Sequence, residues 1–355
     1  MPRAVLEAVF VLALAAVPAI AQTGARASLD PHLDTSIVPA GCPACHRGHG
    51  APRSPMLPEA QQAVCLGCHG SRAQFDGAVR AGLVSSEARL RPLSQALMLP
   101  SRHSMEPRAY SEHDGRGVTC TSCHSPHRGM RDPGLGGPPP GRRRMSPKDP
   151  QRFEYELCES CHGSQGALTR SLSDLSRMLD PGNRSYHPVH APSRGSSPSV
   201  IPSLRGREIN CSDCHGNSDP LGARGPHGSA EPFLLKARYA TVDGASDSEA
   251  TLCYGCHDRE ALMRAASPFP GHQSHVEKLK ASCATCHSAH GSVVNRALIR
   301  FGEETLIAGV APSARTGRLA FVSSGAGAGT CYLTCHGRDH APESYGLTLP
   351  GSPRD

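Results

Sequence analysis

The sequence predicts a mostly irregular chain with short α-helices and almost no β-sheet, folded around bound groups rather than around its own side chains. The 355 residues include 37 glycines and 32 prolines, while aromatic residues make up 4% and Trp is absent. Large rings normally supply much of the buried area of a core. The 16 cysteines and 20 histidines could instead hold groups that supply it. These counts argue against an ordinary cytoplasmic enzyme, a collagen or a membrane helix bundle.

The first 21 residues have the pattern of a cleaved export signal. Arg3 precedes an apolar stretch at 8–20, and small residues at 19–21 suit cleavage before Gln22. The apolar stretch is too short to span a bilayer, which needs about 20 residues. The first cysteine is Cys42, so a lipoprotein anchor near the cleavage point is not expected. We expect a mature chain in the periplasm or the extracellular space, or at the cell surface, without a transmembrane segment.

All sixteen cysteines fall in eight pairs, and a histidine follows the second cysteine of every pair. Two residues separate the cysteines in seven of the pairs, and three separate them in the eighth. The pairs are Cys42 and Cys45, Cys65 and Cys68, Cys120 and Cys123, Cys158 and Cys161, Cys211 and Cys214, Cys253 and Cys256, Cys283 and Cys286, and Cys331 and Cys335. The histidines that follow them are His46, His69, His124, His162, His215, His257, His287 and His336.

This spacing is typical of covalent haem attachment. Two thiols add to the two vinyl groups of one haem, and the adjacent histidine ligates the iron. Disulfides or zinc sites also use paired cysteines, but neither explains a histidine after every pair. The sequence therefore predicts eight haem c groups, whose planes would supply the missing apolar bulk.

The haems also change how the net charge is interpreted. The polypeptide carries a formal charge of +6. Sixteen propionates and eight ferric haems would bring the total to about −2, and reduction to about −10. The basic polypeptide therefore does not predict a nucleic-acid partner.

The motifs repeat as four pairs. We predict an export signal at 1–21 and one haem pair in each of 22–100, 101–183, 184–267 and 268–355. The odd motifs are followed by a histidine near a glycine, and three even motifs close a short helical approach. Further helices are plausible at 85–99 and 166–179. Pro- and Gly-rich segments at 129–149 and 191–207 predict extended surface loops.

With these four pairs, the chain resembles the doubled C-x-x-C-H multihaem cytochromes over nearly all of its mature length. The resemblance implies a haem-packed, mostly irregular fold and a role in electron transfer. It is a family-level likeness, because such haem pairs occur in proteins of many functions.

Twelve histidines lie outside the motifs, and eight would complete ligation of every iron by two histidines. A histidine shortly after a motif cannot reach the far face of its own haem but can ligate a neighbouring haem. The downstream candidates are His49, His127, His227 and His290. Each unit also has an upstream candidate: His32, then His103 or His113, then His187 or His190, then His272 or His275.

Among the upstream candidates we favour His32, His113, His187 and His275, and His187 rests on the likeness of its His-Pro-Val segment to the family. Methionine is the other possible sixth ligand and would raise the potential. Because histidine is plentiful, we expect low-potential haems with two histidine ligands.

Three functions fit these features. The first is an electron carrier in which eight close haems form a relay. The second is a subunit of a polymeric cytochrome wire or of an outer-membrane conduit. The third is a reductase of a small nitrogen or sulfur compound, which needs an iron with an open position. Several such enzymes replace a motif histidine with lysine, and no C-x-x-C-K occurs here. We expect a carrier without catalytic residues and with redox proteins as partners.

The eighth motif differs from the others in its approach. The residues before Cys331 read SSGAGAGT, a Gly-rich run that does not favour a helix. The extra residue must bulge if both sulfurs are to reach one haem. His340 follows His336 too closely to ligate the same iron from the far side. It is either a surface residue or a ligand of another haem.

An intact-mass measurement tests the haem count. The mature chain 22–355 should weigh roughly 4.9 kDa more than its polypeptide, because thiol addition to a vinyl group loses no atom of the haem. A smaller increment, or bound zinc, would contradict the expected eight haems.

Overall fold

The computed structural model describes residues 31–49, 56–105, 118–124, 126–127, 153–164, 174–195, 197–245, 250–303, 307–325 and 327–346. Most of these residues are irregular, with short helices and a few strands. The helices are α1 (Gln61–His69), α2 (Arg72–Arg80), α3 (Ser94–Met98), α4 (Cys120–Cys123), α5 (Glu154–His162), α6 (Leu175–Met178), α7 (Cys211–Cys214), α8 (Thr251–Tyr254), α9 (Arg259–Met263) and α10 (Cys283–Cys286). The strands are β1 (Ser185–Tyr186), β2 (Gly291–Ser292), β3 (Val310–Ala311), β4 (Ala320–Gly325), β5 (Ala328–Cys335) and β6 (Arg338–Tyr345).

Six of the ten α-helices described, α1, α4, α5, α7, α8 and α10, contain cysteines of the motifs. The predicted helical approaches to the second, fourth and sixth motifs are present as α1, α5 and α8. Of the helix considered at 85–99, only α3 forms. Of the helix considered at 166–179, α6 forms, and residues 166–173 lie outside the part of the chain that the structure describes. The export signal at 1–21 and the loop at 129–149 also lie outside them.

Side-chain cores are small in the described part of the chain. One cluster consists of Phe75, Ala78 and Val84 beside the second motif. A second consists of Phe301, Ile307 and Leu333. The largest fully buried side chains are serines. The protein's own side chains therefore supply little buried apolar area. No helix among the described residues has the length and apolar character to cross a membrane.

The C-terminal residues form an antiparallel sheet that the sequence did not predict. Strand β5 pairs with β3 and β4, and also with β6. The strands contain many Gly, Ala and Ser residues, which interrupt the Val, Thr, Phe and Tyr residues that indicate strands. The Gly-rich run before Cys331 was correctly excluded from a helix, but it enters a β-hairpin rather than an irregular loop.

A two-residue turn joins β5 to β6. Cys335 pairs with Arg338, so His336 and Gly337 form the loop between them. Both have positive φ, 49° and 74°. Positive φ at both loop positions is the geometry of a type I′ turn, which fits the twist of a hairpin. The histidine of the eighth motif is therefore a turn residue.

Candidate haem sites

One continuous cavity of about 4450 Å³ runs through the described part of the chain. A pocket for one small ligand has about 300–1,000 Å³, so this cavity has room for several large groups. Its lining is mostly apolar and includes every motif cysteine except Cys335. The histidines that line it are His32, His46, His69, His103, His124, His127, His162, His187, His215, His227, His257, His272, His275, His287 and His290.

The third, fifth and seventh motifs each form a single helical turn, α4, α7 and α10. Local hydrogen bonds begin these turns. For example, Ser122 Oγ accepts the backbone N–H of Thr119 at 3.0 Å, and Asp213 Oδ2 accepts that of Asn210 at 2.9 Å. The next histidine is extended but still donates its N–H to the first cysteine's carbonyl. Each of these motifs thus places two thiols on one helical turn, and the helix ends at the histidine, whose backbone is extended.

Six motif histidines lie opposite a second histidine. The distances between ring centroids are 5.8 Å for His32 and His69, 5.8 Å for His46 and His127, 6.3 Å for His103 and His162, 5.9 Å for His124 and His227, 6.3 Å for His215 and His290, and 6.4 Å for His272 and His287. Two imidazoles that bind one iron from opposite sides would have centroids about 6.3 Å apart, from metal–nitrogen bonds of about 2 Å. The spacing fits haem iron between the rings.

The downstream histidines follow a regular rule. His127, after the third motif, lies opposite His46 of the first motif. His227, after the fifth, lies opposite His124 of the third, and His290, after the seventh, lies opposite His215 of the fifth. Each downstream histidine therefore pairs with the motif two places earlier. Sequence reasoning expected a neighbouring haem but did not specify which one.

His49 is the remaining downstream candidate, and no motif precedes Cys42 in this sequence. The side chain is exposed, and no described histidine ring pairs with it. The rule of two places thus leaves His49 without a haem to ligate within this chain.

The upstream candidates also resolve into pairs. His32 lies opposite His69. In the second unit, His103 lies opposite His162, whereas the favoured His113 lies outside the described residues. In the fourth unit, His272 rather than the favoured His275 lies opposite His287 of the seventh motif.

In the third unit the structure separates His187 from His190. Burial lowers the pKa of His257 to about 4, and the nearby His187 adds to the effect. His187 acts in the same way on His287 and His290, so it lies near all three histidines, and its ligation of the sixth haem stays a prediction. His190 has another partner, because its Nε2 lies 2.6 Å from Oε1 of Glu159. Its ring also packs on Tyr155.

Several histidine rings are oriented through their Nδ1 atoms. Nδ1 of His215 lies 2.8 Å from the carbonyl of Phe233, and Nδ1 of His287 lies 2.7 Å from that of Ala297. A ring that donates Nδ1–H to a carbonyl keeps Nε2 free for a metal. Burial also lowers the pKa of His290 to about 4, so this imidazole is neutral and able to ligate at pH 7.

One such contact comes from the segment predicted as a surface loop at 191–207. Ser199 in this segment is buried, and its Oγ lies 2.9 Å from Nδ1 of His257. Arg205 donates from Nε to the carbonyl of Val200 at 2.8 Å, which is a hydrogen bond between two residues of the same loop. Sequence reasoning missed Ser199 because a serine in a Pro- and Ser-rich run carries no distinguishing signal.

Thiol contacts join the first cysteines of successive motifs. A hydrogen bond with Cys120 raises the pKa of Cys65, so the second and third motifs touch. The corresponding contacts link the fourth motif to the fifth and the sixth to the seventh: Cys158 with Cys211, and Cys283 with Cys253.

Between the first and second motifs, the third and fourth, the fifth and sixth, and the seventh and eighth, it is the second cysteine that lies near a cysteine of its neighbour. Burial raises the pKa of Cys68, and the neighbouring Cys45 adds to it. The same two causes raise the pKa of other second cysteines: Cys123 through Cys161, Cys214 (to about 11) through Cys256, and Cys286 (to about 12) through Cys331 and Cys335. Each motif thus lies beside the next in chain order, from the first to the eighth.

The eighth motif has a different arrangement. Nε2 of His336 lies 3.2 Å from Oδ2 of Asp243. His340 instead lies opposite His275, with ring centroids 6.3 Å apart. This pair contains no motif histidine, whereas each of the six pairs given above contains one.

Comparison with known proteins agrees with this chemistry. A family model described as a doubled CXXCH motif matches residues 36–74. The chain is 27% identical over 312 residues to the multiheme cytochrome MtrA of Shewanella baltica (strain OS185). The aligned region covers 82% of this chain and 72% of MtrA. No solved structure matches this chain.

The paired motifs and their histidines define a multihaem c-type cytochrome of electron transport. The chain belongs to the family whose model is described as outer membrane cytochrome MtrC/MtrF-like, domains II/IV, which matches residues 119–297.

The histidine pairs can be tested one at a time. His127→Ala should convert one low-spin haem to high-spin, because it removes the ring opposite His46. Electron paramagnetic resonance of the oxidised protein measures the change. His190→Ala is the matched control, since His190 contacts Glu159, and it should leave every haem low-spin. A low-spin spectrum for His127→Ala would contradict the rule of two places.

The second unit gives a choice between two histidines. We expect His103→Ala to produce one high-spin haem, because His103 lies opposite His162. His113→Ala should leave the spectrum unchanged. The reverse pattern would assign the ligand to His113.

Proposed function

We propose that this chain binds eight haem c groups and relays electrons along them in chain order. The observation that carries the proposal is that cysteines of successive motifs lie near each other in an unbroken series from the first motif to the eighth. Because each haem would be fixed to its own cysteines, neighbouring cysteines imply neighbouring porphyrin edges. Electrons then hop between adjacent irons, each of which cycles between the ferric and ferrous states.

The residues of the chain have three tasks in this relay. The cysteines would fix each porphyrin, and the paired histidines would fill both axial positions of its iron. Carbonyl groups such as that of Phe233 hold the rings by accepting from Nδ1. That hydrogen bond also makes the imidazole a stronger ligand, which favours ferric iron and a low potential.

The filled axial positions favour a carrier over a reductase. A reductase needs an iron with an open position, where a small nitrogen or sulfur compound binds. Here seven motif histidines lie opposite or close to a second histidine. The chain would then exchange electrons with redox proteins and bind no small substrate at iron.

A second candidate is a place in an outer-membrane electron conduit. The family description and the similarity to MtrA favour it over a freely diffusing carrier. The chain would be exported through its signal at 1–21. A donor at one end of the haem series and an acceptor at the other would complete the conduit.

Reoxidation kinetics separate the carrier from the reductase. The reduced protein should transfer electrons rapidly to an electrode or a small redox protein, and slowly to nitrite, hydroxylamine or tetrathionate. The reason is that no open iron is available to bind these compounds. Stopped-flow absorbance of the haems measures both rates, and steady turnover of any of the three would favour the reductase instead.

Electron injection at one site tests the relay. His290→Met should raise the potential of the fifth haem, because a methionine ligand stabilises ferrous iron. Electrons injected by a light-driven donor should then collect at that haem, whereas in the unmodified protein they spread along the series. Rapid-scan absorbance follows the distribution. Equal distributions in the two proteins would mean that the fifth haem is not connected to the others.

A further inference from the structure

The eighth motif lies on a β-strand, whereas the third, fifth and seventh motifs lie on helical turns. Alternate residues of β5 face the same side, and Cys331, Leu333 and Cys335 all pack in the cluster with Phe301. The two cysteines therefore share a buried face with Leu333 between them. Cys331 also lines the large cavity.

The histidine of this motif lies in the turn that follows the strand. His336 occupies the β5–β6 turn, with φ 49°. Its Nε2, the nitrogen that a motif histidine normally offers to iron, lies 3.2 Å from Oδ2 of Asp243. The other oxygen of Asp243 accepts the backbone N–H of Ser282 at 2.7 Å and bonds to Thr285 Oγ1. Asp243 is thus fixed at the start of α10, and its Oδ2 lies near His336 but forms no hydrogen bond with a described residue.

A different histidine lies beside the eighth pair of cysteines. His340 is the partner of Leu333 in the β5–β6 ladder, so its side chain emerges on the same face as Leu333. It is only 8% exposed, and Nδ1 is buried without a hydrogen-bond partner in the described part of the chain. Nε2 lies 3.9 Å from Sγ of Cys335. A buried ring nitrogen without a bond costs free energy unless something ligates it.

His275 stands opposite His340 and is oriented for ligation. The ring centroids are 6.3 Å apart, within the 5.8–6.4 Å range of the six pairs that contain a motif histidine. Nδ1 of His275 lies 2.8 Å from the carbonyl of Gly271, which leaves Nε2 free. Phe269 packs against His275 and, on another side, against Tyr345, and all three line the cavity.

We propose that His340 and His275 ligate the iron at the eighth site, and that His336 is a turn residue beside Asp243 that does not bind iron. The proposal rests on the proposed attachment of a haem to Cys331 and Cys335. It gives the eighth iron two histidine ligands, as in the other sites, although neither belongs to a motif. It also explains why His272, and not His275, faces the seventh motif's histidine.

His336→Asn is the first test. Asparagine tolerates positive φ, and Asn-Gly is a favoured pair for a type I′ turn, so the hairpin should keep its fold. We expect the protein to keep all its haem mass and an entirely low-spin spectrum by electron paramagnetic resonance. One new high-spin haem at unchanged mass would overturn the proposal, because it would show that His336 is the ligand.

His340→Ala and His275→Ala are the complementary tests. Each should create one high-spin haem at unchanged haem mass. The double variant should also show one, because both residues bind the same iron. Combining His275→Ala with His272→Ala should give two, because these serve different irons. A fully low-spin His340→Ala protein, or two high-spin haems in the His275/His340 double variant, would overturn the proposal.

Two measurements keep the result decisive. If His340→Ala does not fold, His340→Met retains a ligand and should raise the potential of one haem, and an unchanged set of potentials would overturn the proposal. Peptide mass spectrometry of the C-terminal fragment in the unmodified protein checks attachment. Alkylatable Cys331 and Cys335 would overturn the eighth site while leaving a relay of seven haems intact.

Discussion

The pairing of histidine rings from distant parts of the chain, which we propose to close around haem iron, is the interaction on which the rest of the fold depends. The side-chain clusters are small, and the described helices are mostly single turns. A pair such as His46 and His127 joins residues 81 positions apart in sequence, which belong to different units. Each haem would therefore act as a cross-link as well as a cofactor. We expect the polypeptide without haem to be unstable, since little of its own apolar area is buried.

The rule of two places makes the series continuous. A histidine that follows one motif lies opposite the motif histidine of an earlier unit, so in the proposed haem series successive units could not separate without losing a ligand. The alternating contacts of first and second cysteines place the attachment points side by side in the same order. Ligation and electron transfer thus depend on the same arrangement. Filled axial positions suit a relay, because iron with two strong ligands changes charge without binding substrate.

Sequence alone predicted the chemistry better than the geometry. The class of multihaem c-type cytochrome followed from the spacing of the cysteine pairs and their histidines, because haem attachment requires those residues together, whereas the count of eight haems stays a prediction. The helical approaches at α1 and α5 were also predicted. The distal pairing was not, because a histidine such as His103 differs from His113 only through contacts made in three dimensions. The sheet around Cys331 was missed because Gly, Ala and Ser hide its alternation. Ser199 was missed because its role depends on His257 lying beside it.

The positions of the irons test the central claim most directly. Anomalous diffraction at the iron edge, from crystals of the haem-containing protein, locates each iron without reference to the polypeptide. We expect eight irons in one unbroken series that follows the order of the motifs, with His127 at the first iron and His290 at the fifth. Two separate clusters of irons, or a series in which the third motif's iron is not next to the second's, would contradict it.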